Sequence, residues 1–255
     1  MYKFLALWAL AILGIGTASA QSDPFDLESD DEGGYLFGLK GGLTVGTQNW
    51  GSFEREPLIG YHGDLFIESL PELGQFSLWA QLGYHQRGSS LQRQIGATIT
   101  GQVFQTPAQS FIFENIVLGL GGKQVFAYLG AADAYWLLGL RAEYNIDTNL
   151  DEFDRISDFA QRRFFPFESY DFINRFVFGV SVGAGISFPI GEGADVLLEL
   201  NIQPDFTLQY NQPEIGNVIN PFTTVPTTIP ARQIRNISIE LSAGFRFRRR
   251  VIYID

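Results

Sequence analysis

The stretch that decides the fold is Asn236-Ile237-Ser238-Ile239-Glu240-Leu241-Ser242-Ala243-Gly244-Phe245-Arg246-Phe247. Every odd position is apolar, and every even one is polar, charged or glycine. A period of two sends successive side chains to opposite faces of an extended strand, so this segment is a ribbon with one apolar and one ionised side. Working back from it, seven earlier segments follow the same rule, beginning near Tyr35, Ile59, Phe76, Phe111, Phe126, Phe176 and Val196. In the sixth, Phe176, Phe178, Val180 and Val182 alternate with Arg175, Gly179, Ser181 and Gly183. In the seventh, Val196 to Tyr210 oppose Glu199, Asn201, Gln203 and Asp205.

The connections choose between architectures. They are long at 46–56, short at 70–74, long at 89–110, short at 121–123, long at 146–173, short at 189–194 and long at 211–231. Tight turns at one rim and long loops at the other are the rhythm of an up-and-down barrel. Strands of about ten residues tilted by about 45° cross a bilayer. The expected fold is therefore all-β: an eight-stranded antiparallel up-and-down transmembrane β-barrel over 35–247, with both termini on the short-turn, periplasmic side. A soluble eight-stranded calyx is the competing architecture, and it requires a polar exterior. Here one face is nearly free of charge, and charge facing lipid is costly, so the membrane form is preferred.

Two loops invite a finer reading. Residues 149–163 place Asp151, Glu152 and Asp154 ahead of Arg162 and Arg163, with Phe153, Ile156 and Phe159 on one side. That order complements a helix dipole and predicts a short helix in the third long outer loop. The fourth long loop, with Pro213, Pro221, Pro226 and Pro230, reads as extended and solvent-exposed.

Composition bounds the function. Asp plus Glu number 28 against 17 Lys plus Arg, a net charge of −11, which argues against nucleic acid as a partner. With no cysteine, disulfides, thiolate metal sites and cysteine nucleophiles are excluded together. Residues 1–20, with Lys3, an apolar run from Phe4 to Ile15 and Ala18-Ser19-Ala20, read as a cleavable signal peptide. Residues 21–34 read as a flexible acidic leader and 248–255 as a short tail.

The inward face carries the candidate site, a polar network of Lys40, His62, Asp64, Glu68, His85, Asp133, Arg141, Glu143, Arg175, Glu199, Asp205, Glu240 and Arg246. Eight strands enclose a space that side chains just fill, so opposite charges are expected to pair across the lumen as a plug. A small-solute channel is the alternative. The two histidines lack a marked serine nucleophile beside them, and no metal-ligand spacing is present. No catalytic residue, metal or cofactor is expected.

Gly38-Leu39-Lys40-Gly41-Gly42-Leu43, His62-Gly63-Asp64-Leu65-Phe66-Ile67-Glu68, Leu82-Gly83-Tyr84-His85-Gln86-Arg87-Gly88 and Tyr128-Leu129-Gly130-Ala131 together resemble the PorT-like outer-membrane β-barrel family. The resemblance implies a Gram-negative outer membrane as location, lipid as surroundings, and a structural or interaction role, with envelope or type IX-like secretion-complex proteins as partners of a monomeric barrel. It brings no catalytic residues.

Overall fold

The computed structural model describes residues 33–48, 55–71, 75–91, 95–97, 103–105, 109–152, 172–191, 193–219 and 224–251. The signal segment, all but the last two residues of the acidic leader, and most of the third long loop lie outside the described residues.

Eight long strands form the wall: β1 (Gly33–Gln48), β2 (Arg55–Ser69), β3 (Phe76–Leu91), β4 (Gln109–Leu129), β5 (Ala132–Thr148), β6 (Phe176–Gly191), β7 (Ala194–Pro204) and β8 (Asn236–Val251). Each pairs antiparallel with its sequence neighbours, and β1 pairs with β8 from Gly33↔Val251 to Gln48↔Asn236, closing the ring. Closure gives every wall strand two partners and leaves no edge, the condition for strands to cross a hydrocarbon layer. Arg248 to Arg250, read from sequence as tail, belong to β8.

The alternation seen in the sequence becomes an inside and an outside. On β2 the burial pattern strictly alternates from Gly60 to Ser69. Leu65 and Leu140 are 66% and 67% exposed, whereas His85 and Arg87 are at 0% and 1%. Apolar side chains thus cover the outer wall on every strand, far beyond the few hundred Å2 of contiguous apolar surface a soluble monomer tolerates. Leu, Ile and Val hold the middle of this wall. Aromatic residues ring it at both ends, with Tyr61, Tyr84, Tyr144 and Phe176 towards the long loops and Tyr35, Phe76, Phe126 and Phe188 towards the short turns. That distribution matches a hydrocarbon slab bounded by two interfaces.

Several sequence expectations need correction. The fourth strand does not reverse at Gly121-Gly122-Lys123. It runs on to Leu129, and the chain turns at Gly130-Ala131, where Gly130 has φ +69°. Gly121 stays extended between Trp79 and Gly139, and a Cβ there would lie 2.8 Å from the Trp79 ring. This glycine marks a side chain laid across the wall, which mimics a turn signal in sequence. The seventh strand stops at Pro204, which lacks the N–H a ladder needs, so Tyr210 leaves the wall and is fully buried.

The fourth long loop is also not simply exposed. It carries two antiparallel strand pairs, Tyr210–Gln212 with Arg232–Ile234 and Ile215–Ile219 with Pro226–Ile229. Tyr210 and Ile234 pack with Phe111, Phe113 and Leu150, joined by Phe172 and Ile173, in an apolar cluster at the long-loop end. Of the helix expected in the third loop, Asp151 and Glu152 take helical conformation; the remainder of that segment lies outside the described residues.

Candidate functional site: the lumen

Because inward positions repeat every second residue, the wall delivers its polar side chains to one axis at different heights. Two ionic layers result. The ions of the layer nearer the short turns come from β1, β2, β4, β7 and β8. Lys123 Nζ lies 2.8 Å from Glu68 Oε2, whose other oxygen accepts from Ser77 Oγ at 2.7 Å. Arg246 donates to Asp195 at 2.6 Å and approaches Glu68 at 3.5 Å. Lys40 Nζ sits 2.6 Å from Glu199, which also accepts from the Tyr135 hydroxyl at 2.9 Å. Lys123 stands 4.0 Å above the Tyr135 ring, an attraction between an ammonium and the negative face of an aromatic. Among these residues three cations meet three carboxylates.

The layer nearer the long loops is denser. His85 has Asp64 at 2.9 Å from Nε2 and Glu240 at 2.7 Å from Nδ1. Ionised carboxylates only accept hydrogen bonds, so satisfying both contacts requires both ring nitrogens to donate, which is the imidazolium form. Arg87 Nη2 reaches Glu143 at 3.1 Å and Glu240 at 3.2 Å. Arg141 reaches Glu143 at 2.9 Å and pairs with Asp205. Gln203 accepts from both arginines and donates to Glu240. Asn236 donates to Asp205 at 3.0 Å. A Cβ at Gly179 would run into the Arg141 guanidinium, so this glycine makes room for the arginine opposite.

Beside the long-loop layer, His62 contacts the Thr44 hydroxyl at 3.1 Å and Ser242 Oγ at 2.8 Å. Its ring centroid lies 5.2 Å from that of His85. The sequence does not mark Ser242 as a partner for histidine, and the structure brings the two into hydrogen-bond reach. The third member of this group is a threonine hydroxyl, not a carboxylate, and Thr44, His62 and Ser242 are all buried. A triad needs a base held by an orienting acid and an open approach for substrate. Neither is present at this site.

The predicted network is thus largely gathered on the axis, with two qualifications. Arg175 is not in the lumen. It precedes β6, is exposed, and donates to the Tyr144 hydroxyl at 3.3 Å. The alternation in sequence extends one residue beyond the start of β6. Asp133 keeps the inward parity but is half-buried beside the Gly130-Ala131 turn. Sequence reasoning omitted Arg87, which has the parity of His85 two residues before it, and Lys123, which it placed in a turn. It also omitted Gln203 and Asn236 as connectors, and the inward Trp79, Tyr135 and Leu137.

A cavity of about 20 Å3, lined by residues including Lys40, Glu68, Trp79, Lys123 and Glu199, has room for about one water molecule. Among the described residues no group of three or more His, Cys, Asp or Glu could hold a metal ion.

No known protein-family model matches the chain, and no curated protein matches it. Solved structures of outer-membrane β-barrels are similar to it. Neisserial surface protein A is 12% identical, with 84% of this chain and 96% of that chain covered at a TM-score of 0.43. Outer membrane protein OprG from Pseudomonas aeruginosa is 10% identical over 85% and 97%, at 0.46. Outer membrane protease OmpT from Escherichia coli is 10% identical over 86% and 95%, at 0.33. At such identities and scores no residue's role transfers from these proteins.

Proposed function

We propose that this chain is an outer-membrane barrel acting as a structural or interaction component of the cell envelope, with a lumen that is a plug and a long-loop rim that is its working surface. The observation that carries the reading is the lumen itself. Among the described residues two ionic layers span the axis, the apolar Phe111–Tyr210 cluster caps them, and a cavity beside the short-turn layer measures about 20 Å3. A solute channel needs continuous water, and eight-stranded barrels are filled by their own side chains. A soluble ligand-binding calyx needs an apolar cavity and a polar exterior, the reverse of the arrangement here. Burial of His62, His85 and Ser242 supports a non-enzymatic role. The signal-like segment 1–20 supports export, with the termini on the periplasmic side. Envelope or secretion-complex proteins are the partner class, on the strength of the motif resemblance alone.

Planar-bilayer recording tests this reading. The refolded barrel is expected to give no defined single-channel steps. Steps that change when Arg141 is neutralised would replace the plug with a pore. Pull-down of the tagged, detergent-extracted protein identifies the partner at the rim, and recovery of the barrel alone under mild extraction would contradict an interaction role.

A further inference from the structure

On the outer wall near the short turns, the apolar surface is indented. A groove of about 660 Å3 is lined by Tyr35, Ile67, Leu78, Ala80 and Leu120, among others. It is concave because Ala80, paired with Ile67 and Leu120, is small among the outward Leu and Ile side chains. Glu68 also lines it but is already bonded to Lys123 and Ser77, so the groove offers apolar contact and no free charge of its own.

One end of the groove is different. Tyr35 is paired across β1 and β8 with Arg249, and Phe37 with Phe247. The Tyr35 and Phe37 rings lie 6.0 Å apart and those of Phe37 and Phe247 5.8 Å apart. This aromatic patch belongs to the ring that marks the boundary between hydrocarbon and headgroups. Arg249 is exposed on the same outward face, one pleat beyond Phe247, and Arg248 is exposed beside it. The guanidinium therefore stands at headgroup height in a chain whose net charge is strongly negative.

Resting on the transmembrane reading above, the geometry points to a bound anionic phospholipid of the short-turn leaflet, with an acyl chain in the groove and its phosphate on Arg249. The groove supplies chain contact without polar groups to desolvate. Arg249 supplies a fork that matches phosphate oxygens. Tyr35 joins the two, lining the groove and standing opposite Arg249 in the β1–β8 ladder.

The test uses the full chain refolded into nanodiscs of phosphatidylcholine supplemented with phosphatidylglycerol or phosphatidylethanolamine, followed by native mass spectrometry of retained lipid. Phosphatidylglycerol is expected to be retained in preference to both zwitterionic lipids. Arg249→Gln lowers that retention about fivefold, the effect of one basic side chain at an anionic surface. Ala80→Phe fills the groove and removes retained lipid of every headgroup. Ala80→Leu does the same more weakly and serves if the phenylalanine variant fails to fold. Excess inorganic phosphate leaves retention unchanged. Equal retention of all three lipids, displacement by phosphate alone, a dimer covering the groove without lipid, or wild-type retention in both Arg249→Gln and Ala80→Phe overturns the proposal. Failure of the chain to insert into the discs at all would instead overturn the transmembrane reading beneath it.

Discussion

The two halves of the lumen solve the same problem differently. Near the short turns, charges are matched in number and largely in pairs: Lys40 with Glu199, Arg246 with Asp195, Lys123 with Glu68. Near the long loops, Arg87 and Arg141 are each shared among several acids, and Asp64, Glu143, Asp205 and Glu240 outnumber them even when His85 carries a charge. Pairs fail one at a time, while a shared network fails together, because each buried ion has been taken out of water on the strength of all its partners. The long-loop half is therefore the more sensitive to removal of one cation.

Unfolding in denaturant, followed by the loss of the folded barrel's gel mobility, sharpens the comparison. Arg87→Met leaves Glu143 and Glu240 short of a partner and is expected to destabilise by about 3–5 kcal/mol. A loss below that of any short-turn cation would break the distinction between the halves. On the outer wall, Leu140→Arg puts a charge at the middle of the apolar belt, at an expected cost of about 2–4 kcal/mol. No loss would argue that Leu140 meets water. Lys123→Met should be milder, about 1–3 kcal/mol, since Glu68 keeps Ser77 and Arg246. The smallest effect is predicted for Asp64→Asn, within about 1 kcal/mol. The substitution retains the Oδ1 acceptor for His85, and Oδ2 has no hydrogen-bond partner among the described residues. A large loss there would mean that the long-loop half depends on its full negative charge.

Most of the architecture was legible because its cause is local. A period of two, repeated through eight segments, sets the strand faces regardless of what surrounds them, and the chemistry of those faces separates lipid from lumen. What sequence could not supply depends on neighbours. Gly121 and Gly122 carry the composition of a turn, yet the Trp79 indole across the wall gives Gly121 its reason. Phe111 and Phe113 break the expected polarity of the inward face because residues from 172–173, 210 and 234 come to cover them. Arg175 continues an alternation whose strand has not begun, so its parity carries no meaning. For Arg87 the signal was available in its spacing from His85, and it was obscured by the Gly-rich sequence around it.

The central claim is that the uncharged side of these strands faces acyl chains. With no native cysteine, single thiols introduced at Leu140, Leu200 and Leu241 can each be spin-labelled without interference, and their collisions with dissolved oxygen and with a water-soluble nickel chelate measured in liposomes. All three sites are predicted to be saturated by oxygen and closed to nickel. Strong nickel contact at these positions in the folded protein would contradict the account.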